Sequence, residues 1–485
     1  MKKSARIALH CLLAMVLTVP LAACGSDTKD TTPKKDMSTN TREQLAELSK
    51  SDERLTGELE NKTIKWMSDW DINSDDTGKT TPIELAVFQE RYGGQIEFHQ
   101  TTYGARYDNL ANAINSDEGI DFFYGGNWDA FPKGAVRGMF VPYDDYIDLD
   151  SDLWKYVKAA NDAMVWNDKH YMAIVEVTGD QCAIIYNRKT MDENGLDDPA
   201  ELFEKGKWDW DAFMDMMKTF VSNAKDGETR YGINGWFGQA MVQSTGETFV
   251  KYDGSKFSNN ISNPAIEEAE GVMEEIMSLG LYDPTWYGYL PDDGSTLFFG
   301  MADWALGASN VKADPNPDYE DDGFVEENDL MIVPFPKQPG SDEYYLNCNF
   351  GAKMLVKNSD KGDAVAAYIK CERLAAMIDE YKDAAKEKAI IPEVNAQGKL
   401  KSYVTEEQYD ALQDYKDPKN ITPVFDFGYG MGSRMYGDGE YTYETRGVMN
   451  NLTSALLNGD KDSWAVLRDE WSSVIDEVID GYNNK

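Results

Sequence analysis

The sequence predicts an α/β protein of two lobes joined by crossing strands, with a ligand cleft between the lobes. Three observations carry this. Between Lys62 and Tyr124, strand-like and helix-like segments follow the order βαβαβ, which gives a mainly parallel sheet with helices on its faces. From Tyr171 to Pro199, two β-rich runs are interrupted by Thr178, Gly179 and Asp180, the pattern of a strand that leaves one sheet and enters another. The apolar run Leu330 to Pro336 makes a second crossing. In open sheets of this kind ligands sit beyond the carboxyl ends of the strands, so a cleft is expected where the chain crosses.

The chain has 485 residues, enough for two or three domains at roughly 100–200 residues each. Lys2, Lys3 and Arg6 form a basic n-region, and Ile7 to Pro20 is apolar but too short for a comfortable membrane span. The small residues of Leu21-Ala22-Ala23 then fit the cleavage site of a secretory signal peptide, residues 1–23. Cys24 directly after them resembles the lipobox of bacterial lipoproteins, which implies that its thiol is lipidated and that it becomes the mature N-terminus. Residues 24–60 hold this Cys and a tether. Gly25 to Met37 is polar with no apolar period and reads as flexible chain. Thr41 and Gln44 have capping-box spacing and predict a short polar helix through Leu55, a stalk or a helix lying loosely on the first lobe.

The folded part starts at the strand Lys62–Met67. Pro82 opens a helix that Gly93 and Gly94 terminate, because Pro suits the first turn and Gly the left-handed position past the last. Gln95 to His99 alternates as a strand. Tyr107, Leu110, Ala111 and Ile114 share one helix face, and Ile120 to Tyr124 is a strand. Beyond the first crossing, Asp209 caps a helix that buries Phe213, Met216, Met217 and Phe220. Tyr231 to Asn234 is a strand ending at Gly235-Trp236-Phe237, and a helix runs from about Ile266 to Leu279. Leu297 to Gly307 predicts a turn followed by a buried strand, and Asp314 to Asp329 an acidic loop. Asn349 to Val356 is a strand and Asp363 to Met377 a helix. Leu467, Trp471, Val474, Ile475 and Val478 mark a docked C-terminal helix.

Composition narrows the function. With 86 Asp and Glu against 47 Lys and Arg, the formal charge is −39, which disfavours nucleic acid and anionic lipid surfaces as partners. Removing residues 1–23 takes away three positive charges and leaves −39 − 3 = −42. Of the five Cys, Cys182, Cys348 and Cys371 remain in the mature body, too few and too scattered for a disulfide framework or a zinc site. His99 and His170 belong to no metal-spaced set. Two acidic stretches starting at Asp71 and Asp148 begin like calcium loops, but Asp76 and Leu153 replace the required Gly. No phosphate loop, nucleophile elbow or dinucleotide fingerprint occurs, so no catalytic residue, metal or cofactor is assigned. The clearer signal is aromatic. Trp70, Trp128, Trp236 and Tyr429 follow strands or sit beside Gly, and Asp69, Asp71, Asn127, Asp129 and Arg188 lie nearby. Aromatic faces accept the C–H side of a sugar while polar groups satisfy its hydroxyls.

Several segments together resemble the extracellular solute-binding proteins of ABC importers, in the group that includes maltose-binding protein. Ile185-Tyr-Asn-Arg-Lys189 followed by Glu193-Asn-Gly-Leu196 is similar to the family's segment after the first crossing. Trp208-Asp-Trp-Asp-Ala-Phe213 resembles its helix start without the usual Pro. Phe298 to Trp304 and Val333-Pro-Phe-Pro336 are similar to two later motifs. The resemblance spans roughly Lys62 to Ile479 and implies the two-lobed periplasmic-binding-protein-like fold of type II, with hinge crossovers and a ligand cleft between lobes. Lobe 1 is then expected over residues 61–175 plus 335–380, and lobe 2 over 176–334 plus 381–482. The resemblance also implies ligand contacts at Trp128 and Asp129 in the first lobe, Glu176 at the hinge, and Trp236, Ser309 and Tyr429 in the second, beside the aromatic candidates Trp70 and Asp71. Trp304 fits either core or cleft.

The function implied is capture of a mono- or oligosaccharide outside the cell and delivery to the transmembrane subunits of an ABC permease. The protein is expected to be a non-enzymatic monomer, lipid-anchored to the outer side of a Gram-positive membrane. Alternatives are a binding protein for a peptide, polyol or other polar solute, a lipid-anchored carbohydrate-active enzyme, and a surface adhesin.

Overall fold

The computed structural model describes residues 39–74, 81–125, 130–178, 182–313, 329–394, 399–417, 419–437, 442–443 and 445–484. Residues 1–23 expected as a signal peptide, Cys24, most of the expected tether, the acidic segment 314–328 and the interruption at Gly179 and Asp180 lie outside them.

The first sheet contains β1 (Thr63–Ser68), β2 (Gln95–Gln100), β3 (Phe122–Tyr124), β4 (Phe140–Val141), β5 (Ala173–Thr178) and β11 (Asn349–Val356). Their order is β2-β1-β3-β11-β4, with β5 lying along the first half of β11. β1, β2 and β3 are parallel, as the βαβαβ pattern requires, and β11 runs antiparallel between β3 and β5. The second sheet contains β6 (Ala183–Asn187), β7 (Tyr231–Gly235), β8 (Tyr282–Asp283), β9 (Thr296–Met301) and β10 (Leu330–Pro334) in the order β8-β7-β9-β6-β10. Here β7, β8 and β9 are parallel, and β6 is antiparallel to both β9 and β10.

The chain passes between the sheets twice. β5 ends at the carboxyl edge of the first sheet, and β6 starts at the carboxyl edge of the second, where Ala183 pairs with Pro334. β10 ends at that same edge, and β11 starts beside Thr178 on the first sheet. Both connections therefore join the same two edges.

Helix α1 (Thr39–Ser51) buries Leu45 and Ser49, and the chain after it buries Leu55. Thr41 lies inside the helix, and its hydroxyl donates to Glu387, so Thr41 is not the start and α1 is docked instead of loose. Helix α2 (Ile83–Tyr92) starts after Pro82 and ends at Gly93 with φ +65°. Helix α3 (Arg106–Ser116) buries Leu110. Asp209 caps α4 (Trp210–Ser222) by accepting from the Ala212 N–H at 3.0 Å. Asn263 and Pro264 open α5 (Pro264–Ser278). Helix α7 (Gly362–Met377) packs Tyr368 against Phe88 and Phe122, and α8 (Asp379–Ala389) adds Tyr381 and Ala384 to that same core of the first sheet. Helices α9 (Glu406–Lys416) and α10 (Trp464–Asn483) complete the C-terminal part.

One expectation changes here. Leu297 to Gly307 is a buried strand first and a helix second, β9 followed by α6 (Trp304–Ala313). Thr296 and the two Phe favour the strand, and the Ala- and Leu-containing run after Asp303 favours the helix. Cys182, Cys348 and Cys371 are buried, where a thiol packs as a small apolar residue.

Candidate functional site

The carboxyl edge of the second sheet carries a tryptophan at the end of each of its three parallel strands. β7 ends at Gly235, whose φ of +107° and position, with any Cβ only 2.2 Å from the Gly300 carbonyl oxygen, admit no side chain. The chain turns hard against β9, where the Trp236 N–H donates to Gly300 O at 2.9 Å, and the indole of Trp236 is thrown outward. Trp286 follows β8, and buried Asn234 holds its loop by donating to the carbonyls of Asp283 at 2.8 Å and Thr285 at 2.6 Å. The two indoles stack with centroids 4.6 Å apart and planes inclined by 23°. Trp304 opens α6 just past β9. Trp236, Trp286 and Trp304 are 57%, 49% and 53% exposed, unusual for residues of this size at strand ends.

Among the described residues the first sheet presents fewer exposed tryptophans. Trp70, 42% exposed, follows β1; its carbonyl accepts from buried Trp66 Nε1 at 3.1 Å, and its ring meets Tyr124 edge-on at 6.3 Å. Asp71 is half-buried, and its carboxylate accepts from the Asn73 backbone and side chain at 3.0 and 2.9 Å, forming an Asx turn. Tyr103 follows β2, and its hydroxyl lies 3.4 Å from that of Tyr436 in the C-terminal part.

Glu176 is aimed by a β-bulge. Gly351 pairs with Glu176 and Ala352 with Ile174, so Val175 is the extra residue. Ile174 and Val175 are both buried, and alternation then leaves Glu176 exposed. Among the described residues β5 has no strand on its other side along this stretch, and buried side chains take the place of a ladder. Asn161 donates to Ile174 O at 3.2 Å and accepts from Ile174 N at 2.8 Å. Arg373, from α7, donates to Val175 O at 2.6 Å and to Leu153 O at 2.8 Å. Burial pushes the Arg373 guanidinium down to about 10, while the charge of Glu176 acts the other way. A Cβ at position 351 would lie 2.8 Å from Glu176 Cγ, so only Gly leaves room.

The charges nearby are largely paired. Lys416 reaches from the end of α9 to Asp303, directly before Trp304, at 2.6 Å. Burial alone would lower the Lys416 ammonium, but Asp303, with Glu176 adding to it, holds it above its ordinary range. Behind β11, Lys353 pairs with Glu372, whose carboxyl burial pushes up to about 7 against the pull of that lysine. His170 pairs with Asp144 at 3.0 Å, and His99 lies 3.9 Å from Glu118. Among the described residues no group of His, Cys, Asp or Glu is arranged to hold a metal ion, and no helix is long and apolar enough to cross a membrane.

Of the residues singled out from sequence, the structure brings Trp70, Asp71, Glu176 and Trp236 to the two carboxyl edges. Trp128 and Asp129 lie outside the described residues, as does Cys24. Ser309 is fully buried in α6, where its hydroxyl donates to Ala305 O at 2.7 Å and accepts from the Leu290 N–H at 2.9 Å, so it faces no opening. Tyr429 is also buried, in the turn Phe427–Gly430, and Tyr436 is the ring that reaches the first sheet. Trp286, Asp303 and Lys416 were not anticipated. Trp286 had a weak signal, an aromatic two residues past the Asp283-Pro284 turn.

The profile of the family described as bacterial extracellular solute-binding protein matches residues 72–371, more than half of the chain. Among curated proteins none matches significantly. Among solved structures, the cyclic α-maltosyl-1,6-maltose binding protein from Arthrobacter globiformis is 15% identical with a TM-score of 0.60, covering 87% of this chain and 99% of that one. The ABC substrate-binding protein Lmo0181 from Listeria monocytogenes, in complex with cycloalternan, is 14% identical with a TM-score of 0.55, covering 86% and 98%. The sugar-binding protein MalE from Xanthomonas citri is 14% identical with a TM-score of 0.57, covering 87% and 98%. At such identities these likenesses establish the two-lobed type II fold, while the profile match establishes the family. The chain belongs to the bacterial extracellular solute-binding protein family.

Proposed function

We propose that this protein is the substrate-binding lipoprotein of an ABC transporter, capturing a mono- or oligosaccharide outside the cell and delivering it to the transmembrane permease subunits. The observation that carries the reading is the stacked, exposed pair Trp236 and Trp286, with Trp304 on the same edge and Trp70 and Glu176 on the edge that the crossings join to it. Flat apolar rings beside carboxylates suit a ligand with C–H faces and hydroxyl rims. The solved structures named above, which include a cyclic maltosyl-maltose binding protein and a complex with cycloalternan, support the same reading. A ligand touching both edges favours the closed arrangement of the lobes by its added contacts there, and the permease reads that state. The lobes divide at the two crossings, with α8 grouped with the first sheet by its buried Tyr381 and Ala384.

The n-region, apolar stretch and Cys24 support export and lipid anchoring on the outer face of a Gram-positive membrane, with the protein acting as a monomer. Titrating the intrinsic tryptophan fluorescence of the mature chain against a sugar panel tests the ligand class. A saturable shift with at least one sugar is expected. No spectral or melting shift with any sugar removes the carbohydrate reading and leaves the family assignment standing.

A further inference from the structure

The charge around the two edges is one-sided, and this bears on which glycans the site takes; the inference rests on the carbohydrate reading above. Glu176 is exposed and forms neither a hydrogen bond nor an ion pair with a described residue. The titratable groups that feel its charge from the packed elements are Glu84 on α2, Glu372 and Arg373 on α7, and Tyr409 and Lys416 on α9, while Lys353 on β11 acts on Glu84 and Glu372. Lys353 is bound to Glu372, Lys416 to Asp303, and Arg373 is buried with its N–H groups on two backbone carbonyls. None of these three cations is thus left unpaired to face Glu176. Exposed Asp69 and half-buried Asp71, beside Trp70, add negative charge along the first edge.

Two further cations near the first edge lie against rings, and Arg106 Nη1 also donates to Tyr103 O. Arg106 lies 3.8 Å from the Tyr103 ring centroid, and Lys133 lies 5.7 Å from that of Tyr107. The edges therefore expose neither of the described guanidinium groups beside them as the fork that recognises a carboxylate or sulfate, because Arg106 and Arg373 are both buried. They offer instead a carboxylate acceptor held outward by a bulge and pinned from behind by Asn161 and Arg373.

We propose that Glu176 is a specificity-determining residue that admits uncharged glycans and rejects anionic ones such as uronates. Two carboxylates about 6 Å apart in the partly screened environment of a cleft repel by roughly tenfold in affinity. A hydroxyl at the same place is a donor to Glu176 and incurs no such penalty.

The test is calorimetric titration of the mature chain, at low salt, with neutral tetrasaccharides (malto-, cello-, xylo- and manno-) and with galacturonate and mannuronate tetrasaccharides. Binding is expected in the neutral set only. For the neutral sugar that binds, a version with one glucose or mannose oxidised to its uronate should bind at least tenfold more weakly. That gap should shrink several-fold in Glu176→Gln and in 1 M salt, where charges are screened within about 3 Å. Circular dichroism verifies that the variant, altered at an exposed side chain, is folded. A uronate that binds more tightly than every neutral sugar overturns the proposal. So does a gap that Glu176→Gln leaves unchanged. If no glycan of either set binds, the carbohydrate reading itself fails, and the selectivity built on it falls too.

Discussion

Gly235 and Trp236 show how one residue makes its neighbour functional. The left-handed backbone at Gly235, tight against the Gly300 carbonyl, turns the chain so that Trp236 meets Trp286 outside the core. Gly235→Ala should cost about 2–4 kcal/mol, combining the strained φ with a backbone clash, and would show as a lower urea midpoint. Trp236→Ala and Trp286→Ala remove exposed rings, so thermal stability should stay within about a degree while sugar affinity falls at least tenfold by calorimetry. Glu270 makes the opposite case. It is fully buried in α5, and both its carboxylate oxygens lack a hydrogen-bond partner among the described residues. Burial raises its pKa well above the ordinary range, and the neighbouring Glu274 adds to this. The folded state therefore keeps a proton that the unfolded chain releases near pH 4.3. Its stabilising contribution is complete below that pH and is lost as pH rises toward the folded value. Glu270→Gln keeps the shape without the titration. Urea denaturation at pH 5 and pH 9 should show the wild type losing more stability on going to pH 9 than the variant, by at least about 1 kcal/mol.

At the scale of elements, β5 is the part most dependent on distant partners. Its bulge leaves the Val175 carbonyl without a strand to accept from, and Arg373 supplies the donor. Arg373→Met would leave that carbonyl and Leu153 O unsatisfied in the interior, at a cost of about 2–4 kcal/mol. It would also loosen the aim of Glu176, so sugar affinity should fall even under conditions where the variant remains folded; calorimetry on the folded fraction checks this. The strands and caps of the first sheet were legible because their signals are local: Pro82 and Gly93 bracket α2, and Asp209 caps α4. The Arg373–Val175 contact spans 198 positions and the Lys416–Asp303 pair 113, and no periodicity reports on such distances. Residues 297–307 misled for a different reason: a short apolar run followed by Ala, Leu and Gly fits strand or helix equally until the sheet partners of β9 are known.

For the whole molecule, the two crossings join carboxyl edge to carboxyl edge, so a ligand held by both should draw the lobes together. Small-angle scattering should show a smaller radius of gyration with a bound sugar than without, and an unchanged radius would argue against closure on binding. Alternation, caps and the order of motifs determined the α/β class, the two crossings and the family resemblance, because each is written in neighbouring residues. The sequence also singled out Trp70, Trp236 and Glu176. Only the tertiary structure decided that Trp286 stacks on Trp236, that Ser309 and Tyr429 turn inward, and that a bulge turns Glu176 out. The physical reason is that a side chain's direction at a sheet edge is set by its strand partners and by the groups that pack behind it. Those come from segments up to some two hundred positions away, beyond the reach of any local pattern.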